Sequence, residues 1–209
     1  MDVLILGATG AVGSQVLDQA EVDASIGRIV APTRRPLPPA AKLENPVLEF
    51  GMPLPEADWW RVDAVICCLG TTLSKAGSKA AFYAVDHDLV LACARQAREA
   101  GVKIFVLNSS LGADAGSRSF YLRTKGDVEA GLETLGFERL VKVRPSLIEA
   151  SRPEARPGEK LGLIAGRVFR PLIPARYRPV SAQAVAATLL AQVAGGKGIV
   201  TVESDRIQA

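Results

Sequence analysis

The chain begins with a short apolar run that ends directly in a glycine-rich turn. Asp2–Leu6 reads DVLIL, and the seven residues after it read GATGAVG. Over Ala11–Val22, apolar residues then recur at helical spacing, as Val12, Val16, Leu17 and Ala20. A buried strand that passes through closely spaced glycines into a helix predicts the first βα unit of a nucleotide-binding α/β fold.

The same alternation of strand and helix patterns continues along the chain. Strands are predicted at Arg28–Ala31, Val47–Phe50, Asp63–Leu69, Lys103–Leu107, Leu140–Val143 and Ile199–Val202. Helices are predicted at Ser78–Ala100, Phe120–Leu135 and Ser181–Val193. The proline-rich run PLPPAAKLENP (36–46) is predicted to be a loop. This order predicts an α/β fold: a Rossmann-type doubly wound parallel sheet with helices on both faces, in a single domain over 1–209.

Composition and charge exclude several classes of protein. Hydrophobic residues make up 48% of the chain and charged residues 22%, which is the balance of a globular protein. There is no apolar run of 18 residues, and the first residues lack the basic region of a signal peptide. Neither a membrane span nor secretion is therefore expected. The net charge of +3 is too small to indicate nucleic-acid binding, so that class of function is not expected.

The cysteines and the single histidine indicate neither disulfides nor a metal site. Cys67 and Cys68 are adjacent in an apolar strand pattern, and with Cys93 they make an odd count. They are predicted to be free thiols that act as small core residues, so a cytoplasmic localisation is expected. His87 has no neighbouring cysteine or histidine at the spacing of metal ligands, so no metal is predicted.

Each glycine of the first turn has its own physical role. Gly7 permits the sharp turn out of the strand, Gly10 leaves room for a pyrophosphate, and Gly13 lets the helix pack on the sheet. Backbone N–H groups at the positive end of the helix are free to bind phosphate. Cofactor contacts are expected along the whole turn, including Ala8, Thr9, Ala11 and Val12. The alternative is a tight turn that binds no ligand.

The charges after the second strand predict which nucleotide binds. NAD-binding folds carry Asp or Glu there for the ribose 2′-hydroxyl. This chain has Thr33-Arg34-Arg35 at that point, with no acid nearby. Arg34 and Arg35 suit a 2′-phosphate, because a guanidinium pairs with phosphate through two N–H donors. The cofactor NADP(H) is therefore favoured over NAD(H); the alternative is that both arginines are merely solvated.

A second group of polar residues follows the strand KIFVL. Ser109 and Ser110 come directly after it, and the stretch SRSFYLRTK (117–125) then places Tyr121 and Lys125 four residues apart. On a helix this spacing puts the phenol and the ammonium on one face, about one turn apart. Taken alone, the Tyr–Lys pair also fits a half-buried tyrosine beside a solvated lysine.

Together with GATGAVG, these residues give the chain a family resemblance. It resembles the short-chain dehydrogenases/reductases, and in detail their atypical, Tat-interacting-protein-like NAD(P)H-binding oxidoreductases. The similarity includes AGVKIFVLNSSLGAD (100–114), YLRTKGDVEAGLETLGF (121–137) and RPSLIEASRPEARPGE (144–159). The resemblance implies that Tyr121 is the acid/base, that Lys125 favours its phenolate and holds the nicotinamide ribose, and that Ser109 or Ser110 bonds the substrate oxygen.

The resemblance also implies the remaining cofactor contacts. Leu69, Gly70 and Thr71 match the strand end on the adenosine side, whereas Pro145, Ser146, Leu147 and Ile148 match the segment that holds the nicotinamide amide. Many relatives carry an asparagine for a proton relay in the long central helix, where this chain reads Tyr83-Ala84-Val85-Asp86. Only ~60 residues follow Pro145, so a substrate pocket is expected to be small or open.

Two functions agree with this pattern. One is an NADP(H)-dependent oxidoreductase that reduces or oxidises a small carbonyl or alcohol. The other is an NADP(H)-binding regulator or sensor with little or no turnover. The segment 151–179 holds six arginines and one lysine against two glutamates, so it is expected to contact an anionic substrate or a protein partner, unless it is simply solvated.

Overall fold

The computed structural model describes residues 1–49, 54–149 and 174–207. Seven strands within these ranges form one parallel sheet: β1 (Asp2–Leu6), β2 (Arg28–Val30), β3 (Leu43–Glu44), β4 (Ala64–Cys67), β5 (Ile104–Asn108), β6 (Arg139–Arg144) and β9 (Gly198–Glu203). Their order in the sheet is β3-β2-β1-β4-β5-β6-β9. This order confirms the predicted Rossmann-type doubly wound sheet.

A short second sheet lies beside the main one. It pairs β7 (Ile148–Glu149) with β8 (Val180–Ser181), also in parallel. The helices of the described residues are α1 (Ala11–Val22), α2 (Leu73–Ala76), α3 (Lys79–Tyr83), α4 (Val90–Glu99), α5 (Phe120–Glu133) and α6 (Ala182–Ala191). The α1 and α6 helices pack against each other, as do α4 and α5.

Strand alternation divides the core into two layers. In β1, Val3 and Ile5 face the layer that contains α1 and α6, whereas Leu4 and Leu6 face the layer with α4 and α5. All four side chains are inaccessible to solvent. Cys67 and Cys93 belong to the second layer, and burial raises the pKa of the Cys67 thiol to about 12. These thiols therefore pack as apolar groups and are not reactive at neutral pH.

The third strand lies where the sequence predicts a loop. Leu43–Glu44 is inside the proline-rich run, while the predicted strand Val47–Phe50 is reduced to a bridge between Val47 and Thr33, with Phe50 outside the described residues. Prolines are tolerated because this is the edge strand. Its neighbour β2 donates the bonds, from Ile29 N–H to the Lys42 carbonyl and from Ala31 N–H to Glu44.

The long helix predicted at Ser78–Ala100 is not α-helical throughout, because a π-helical segment separates α3 from α4. Ser78 caps α3 by accepting the Ala81 N–H at 3.1 Å, and Gly101 follows α4 with φ +92°. Between α3 and α4 the segment Ala84–Leu89 is a π-helix. Such turns recur at functional sites. Here the π-helix contains the buried side chain of Asp86.

Candidate functional site

The glycine turn lies at the carboxyl ends of β1 and β4. Gly7 has φ +82°, and a β-carbon there would lie 2.6 Å from the Cys68 carbonyl oxygen. A β-carbon on Gly13 would lie 2.1 Å from the Gly7 oxygen. Gly10 is less confined, since its β-carbon would meet only that oxygen, at 3.3 Å. Gly10 is also the N-cap of α1 and supplies no capping side chain, so the first helical turn can bind an anion.

Two guanidiniums lie at the end of β2. Thr33 is buried there, and its hydroxyl accepts a hydrogen bond from the Asn45 amide at 2.8 Å, which fixes the start of the loop. Arg34 and Arg35 follow it and are exposed to solvent. Neither makes an ion pair with any described part of the chain. Both charges are therefore available to a phosphate.

A cavity of about 460 Å³ lies at the ends of β5 and β6. It brings together both predicted serines, the predicted tyrosine and the whole predicted nicotinamide segment. Its lining residues are Ser109, Ser110, Leu111, Tyr121, Pro145, Ser146, Leu147, Ile148 and Tyr177. Sequence analysis did not identify Leu111 or Tyr177. Lys125 and the glycine turn are not part of the lining.

The two adjacent serines have different surroundings. Ser109 is 6% exposed, and its hydroxyl donates to Glu129 Oε1 at 2.5 Å. Glu129 also accepts two hydrogen bonds from Arg144, at 3.0 and 2.5 Å, and this pairing raises the pKa of the Arg144 guanidinium. Ser110 is half-buried and makes only a weak bond, at 3.5 Å, to the Leu111 carbonyl. Its hydroxyl is therefore the one that can bind a ligand in the cavity.

Lys125 is held by a buried carboxylate. Its Nζ lies 2.8 Å from Asp86 Oδ1, and the two side chains are 7% and 1% exposed. The other Asp86 oxygen accepts the Thr71 N–H at 2.8 Å. A β-carbon on Gly70 would lie 3.3 Å from Asp86 Oδ1 and 3.7 Å from Lys125 Nζ. The predicted adenosine-side loop and the predicted lysine thus meet at Asp86, a residue that sequence analysis noted only as a departure from the family.

Tight packing of α5 fixes Tyr121 and Lys125 on their helix. A β-carbon on Gly126 would lie 2.1 Å from the Ala115 backbone nitrogen, so the helix backbone lies directly on the loop after β5. Tyr121 is 37% exposed, and its ring packs against Phe82 with centroids 5.9 Å apart. One turn further on, Lys125 is buried. Tyr121 thus lines the cavity, whereas the Lys125 ammonium is buried outside its lining.

Two negative findings concern only the described residues. No helix among them is both long enough and apolar enough to cross a bilayer. No cluster of three or more His, Cys, Asp or Glu side chains in the same ranges is arranged to hold a metal ion. Most of the basic segment predicted to contact a substrate or partner, 151–173, lies outside the described residues; its end, 174–179, contains Tyr177 of the cavity.

Breaking the buried ion pair is expected to destabilise the protein strongly. Asp86→Ala leaves the Lys125 ammonium buried without a counter-charge, which should lower the free energy of unfolding by about 3–5 kcal/mol. Lys125→Met in the same background should recover part of that loss, because it removes the unpaired charge. Urea unfolding of both single variants and of the double variant measures the coupling.

The matched control is an exposed ion pair. Asp58 and Arg61 lie 3.5 Å apart with side chains 92% and 76% exposed. Asp58→Ala should cost less than about 0.5 kcal/mol. If Asp86→Ala costs no more than Asp58→Ala, the buried pair does not hold the site together.

Comparison with known proteins finds relatives that are similar to this chain over most of its sequence. No family model matches it. It is 38% identical over 166 residues to protein fmp52, mitochondrial, of Emericella nidulans, covering 76% of this chain and 71% of that protein. It is also 38% identical over 164 residues to protein HTATIP2 of Rattus norvegicus, covering 76% and 67%.

The fungal relative corrects one expectation from the sequence. Because fmp52 is named as a mitochondrial protein, the prediction of a cytoplasmic localisation is wrong on this comparison. That prediction was based on free thiols and on the lack of a signal-peptide pattern. Free thiols indicate reducing conditions, but they do not distinguish between compartments that provide them.

Solved structures agree on the fold. The structure of MoeE5 in complex with UDP-glucose and NAD superposes with a TM-score of 0.72 at 17% identity, covering 99% of this chain and 79% of that one. At such low identity the likeness concerns the fold alone. The two relatives at 38% identity show the family as well as the fold. The chain belongs to the family of FMP52 and HTATIP2, the Tat-interacting-protein-like branch of the atypical short-chain dehydrogenases/reductases.

Proposed function

We propose that this protein is an NADP(H)-dependent oxidoreductase that acts on a small carbonyl or alcohol through Ser110, Tyr121 and Lys125. One observation carries the proposal. A half-buried serine hydroxyl and a tyrosine line one cavity, while a buried lysine lies one helical turn behind the tyrosine. A protein that only senses nucleotide has no physical need for this combination.

The cofactor site that we propose runs across the strand ends. The glycine turn offers open backbone N–H groups to the pyrophosphate, and Arg34 and Arg35 have guanidiniums free for a 2′-phosphate. The loop Leu69–Thr71 would contact the adenosine side, and Pro145–Ile148 would contact the nicotinamide. When bound, NADPH supplies the hydride.

In the direction of reduction, the residues of this chain handle the oxygen and its proton. Ser110 donates a hydrogen bond to the carbonyl oxygen and fixes its position beside Tyr121. The Tyr121 hydroxyl gives its proton to that oxygen as negative charge develops on it. In the direction of oxidation Tyr121 takes the proton back, while Lys125, held by Asp86 one helical turn further on, would contact the nicotinamide ribose.

Ser109 has a different part in this proposal. Its hydroxyl already donates to Glu129, so it can offer a ligand only its lone pairs. Glu129 in turn holds Arg144 at the end of β6, directly before the nicotinamide segment. Ser109 therefore positions the ends of β5 and β6 relative to each other, and Ser110 contacts the substrate.

The preference for NADPH is expected to depend on the two arginines after β2. A charge-assisted phosphate contact of about 1.5–3 kcal/mol gives a preference over NADH of roughly ten- to a hundredfold. The double variant Arg34→Ala/Arg35→Ala should lose most of that preference and keep its affinity for NADH. Titration calorimetry with both nucleotides measures these affinities.

Two controls accompany this titration. Arg61→Ala removes an exposed arginine that precedes β4, at the amino ends of the strands and away from the carboxyl ends that form the site, and should change neither affinity. Gly10→Val should weaken both nucleotides together, because its side chain would enter the pyrophosphate site. Equal affinity of the wild type for NADPH and NADH would contradict the proposed 2′-phosphate site.

Turnover is expected to depend on the phenol and on one serine. Tyr121→Phe removes only the hydroxyl, so kcat should fall by about 10²–10⁴ while the NADPH affinity stays nearly unchanged. Ser110→Ala should lower turnover more than Ser109→Ala, which should chiefly lower stability. Lys125→Met should weaken both turnover and NADPH binding.

The matched control is Tyr83→Phe, since Tyr83 stacks on His87 and does not line the cavity. Its turnover should equal that of the wild type. Normal turnover in Tyr121→Phe would contradict the mechanism and would favour a nucleotide-binding regulator instead.

A further inference from the structure

The cavity beside Tyr121 has few polar groups that a substrate could use. None of the nine lining residues in the part of the chain that the structure describes is charged. Five carry hydroxyls, but the Ser109 hydroxyl donates to Glu129 and the Ser146 hydroxyl donates to the Arg178 carbonyl. Three hydroxyls remain, on Ser110, Tyr121 and Tyr177. In the proposed reaction, Ser110 and Tyr121 both bind the reacting oxygen of the substrate. Only the neutral Tyr177 hydroxyl then remains, among these three, for the rest of the substrate.

The rim of the cavity is apolar and exposed. Leu147 is 73% exposed and Tyr177 is 61% exposed, although both side chains line the cavity. Backbone hydrogen bonds hold both residues. The Leu147 carbonyl accepts the Val180 N–H at 3.0 Å, beside the β7–β8 pairing, and the Tyr177 N–H donates to the Pro174 carbonyl at 2.9 Å. An apolar ligand that covers exposed apolar side chains at the mouth of a cavity lowers the free energy of the complex, because it removes their surface from water.

The ion pairs that lead to this rim, within the described residues, link its charged side chains to one another. Arg176, which precedes Tyr177, lies 3.1 Å from Glu203, and Glu203 also pairs with Arg144 at 3.2 Å. Arg144 in turn pairs with Glu129. An anionic substrate in the cavity would therefore lose hydration without gaining a cation from this network.

From these observations we infer that the substrate is an uncharged aldehyde or ketone with an aromatic or branched apolar body that packs on Tyr177 and Leu147. This inference rests on the proposed function and deepens it. The same cavity of about 460 Å³ must also take the nicotinamide, so the substrate is small. The chemistry that recognises it is one carbonyl oxygen at Ser110 and Tyr121, an apolar face, and no carboxylate or phosphate.

A matched pair of aldehydes tests the class of substrate. Methyl 4-formylbenzoate and 4-formylbenzoate share one ring and one aldehyde, and they differ in the charge at the far end. The absorbance of NADPH measures its oxidation by the wild-type protein with each aldehyde. The kcat/KM for the ester should be higher than that for the carboxylate by about tenfold or more. Leu147→Lys places a cation on the rim and should shift the preference towards the carboxylate.

Variants of Tyr177 test its contact with the apolar body. Tyr177→Ala should raise the KM for the ester by about tenfold with little change in kcat, because it removes binding that is common to ground and transition states. Tyr177→Phe keeps the ring and should recover most of that loss. Val22→Ala, at an apolar residue that is 83% exposed in α1, controls for removing a surface side chain.

The outcomes separate this inference from the proposed function. If 4-formylbenzoate is preferred and its turnover needs Tyr121, the substrate class is wrong and the oxidoreductase proposal stands. If neither aldehyde turns over, titration calorimetry of each aldehyde into the NADP⁺-loaded protein measures whether it binds, and that result tests the inference. Selective binding of the ester supports the inference, whereas no binding, or tighter binding of the carboxylate, overturns it.

Discussion

The buried ion pair between Asp86 and Lys125 is the interaction on which the candidate site depends. A lysine in the layer between two helices needs a counter-charge, since burial of a lone ammonium costs several kcal/mol. The π-helix contains that carboxylate, and Thr71 bonds its second oxygen. One carboxylate thereby joins α5, which carries Tyr121, to the loop after β4. The lysine is in place before any nucleotide arrives.

A second network extends this order to the substrate side. Ser109, Glu129, Arg144, Glu203 and Arg176 form a chain of hydrogen bonds and ion pairs from the end of β5 to the turn that carries Tyr177. Its members come from distant parts of the sequence, and each of its two carboxylates links two other members of the chain. We interpret this network as a scaffold that sets the shape of the cavity and pairs the charges of its own members with one another. The same network explains why the two adjacent serines differ in what they can bind.

Local patterns were sufficient to predict the sheet, since strand–helix alternation and the glycine turn indicated a parallel α/β fold. The residues of the cavity were indicated by the family resemblance, which pointed to both serines, to Tyr121 and to the segment after β6. Contacts between residues that are distant in the sequence could not be predicted from these patterns. The β3 strand exists because β2 donates bonds to its carbonyls, in a run whose prolines indicate a loop. The partner of Lys125 lies 39 residues earlier along the chain, at a site marked only by a departure from the family pattern.

A crystal structure of the NADP⁺ complex tests the central claim most directly, namely that a preformed Asp86–Lys125 pair organises a dinucleotide site across the strand ends. We expect the pyrophosphate at the glycine turn, the 2′-phosphate at Arg34 and Arg35, and the nicotinamide in the cavity, with Lys125 still bonded to Asp86 while it contacts the ribose. A dinucleotide bound elsewhere, or a Lys125 side chain that leaves Asp86 on binding, would contradict this account.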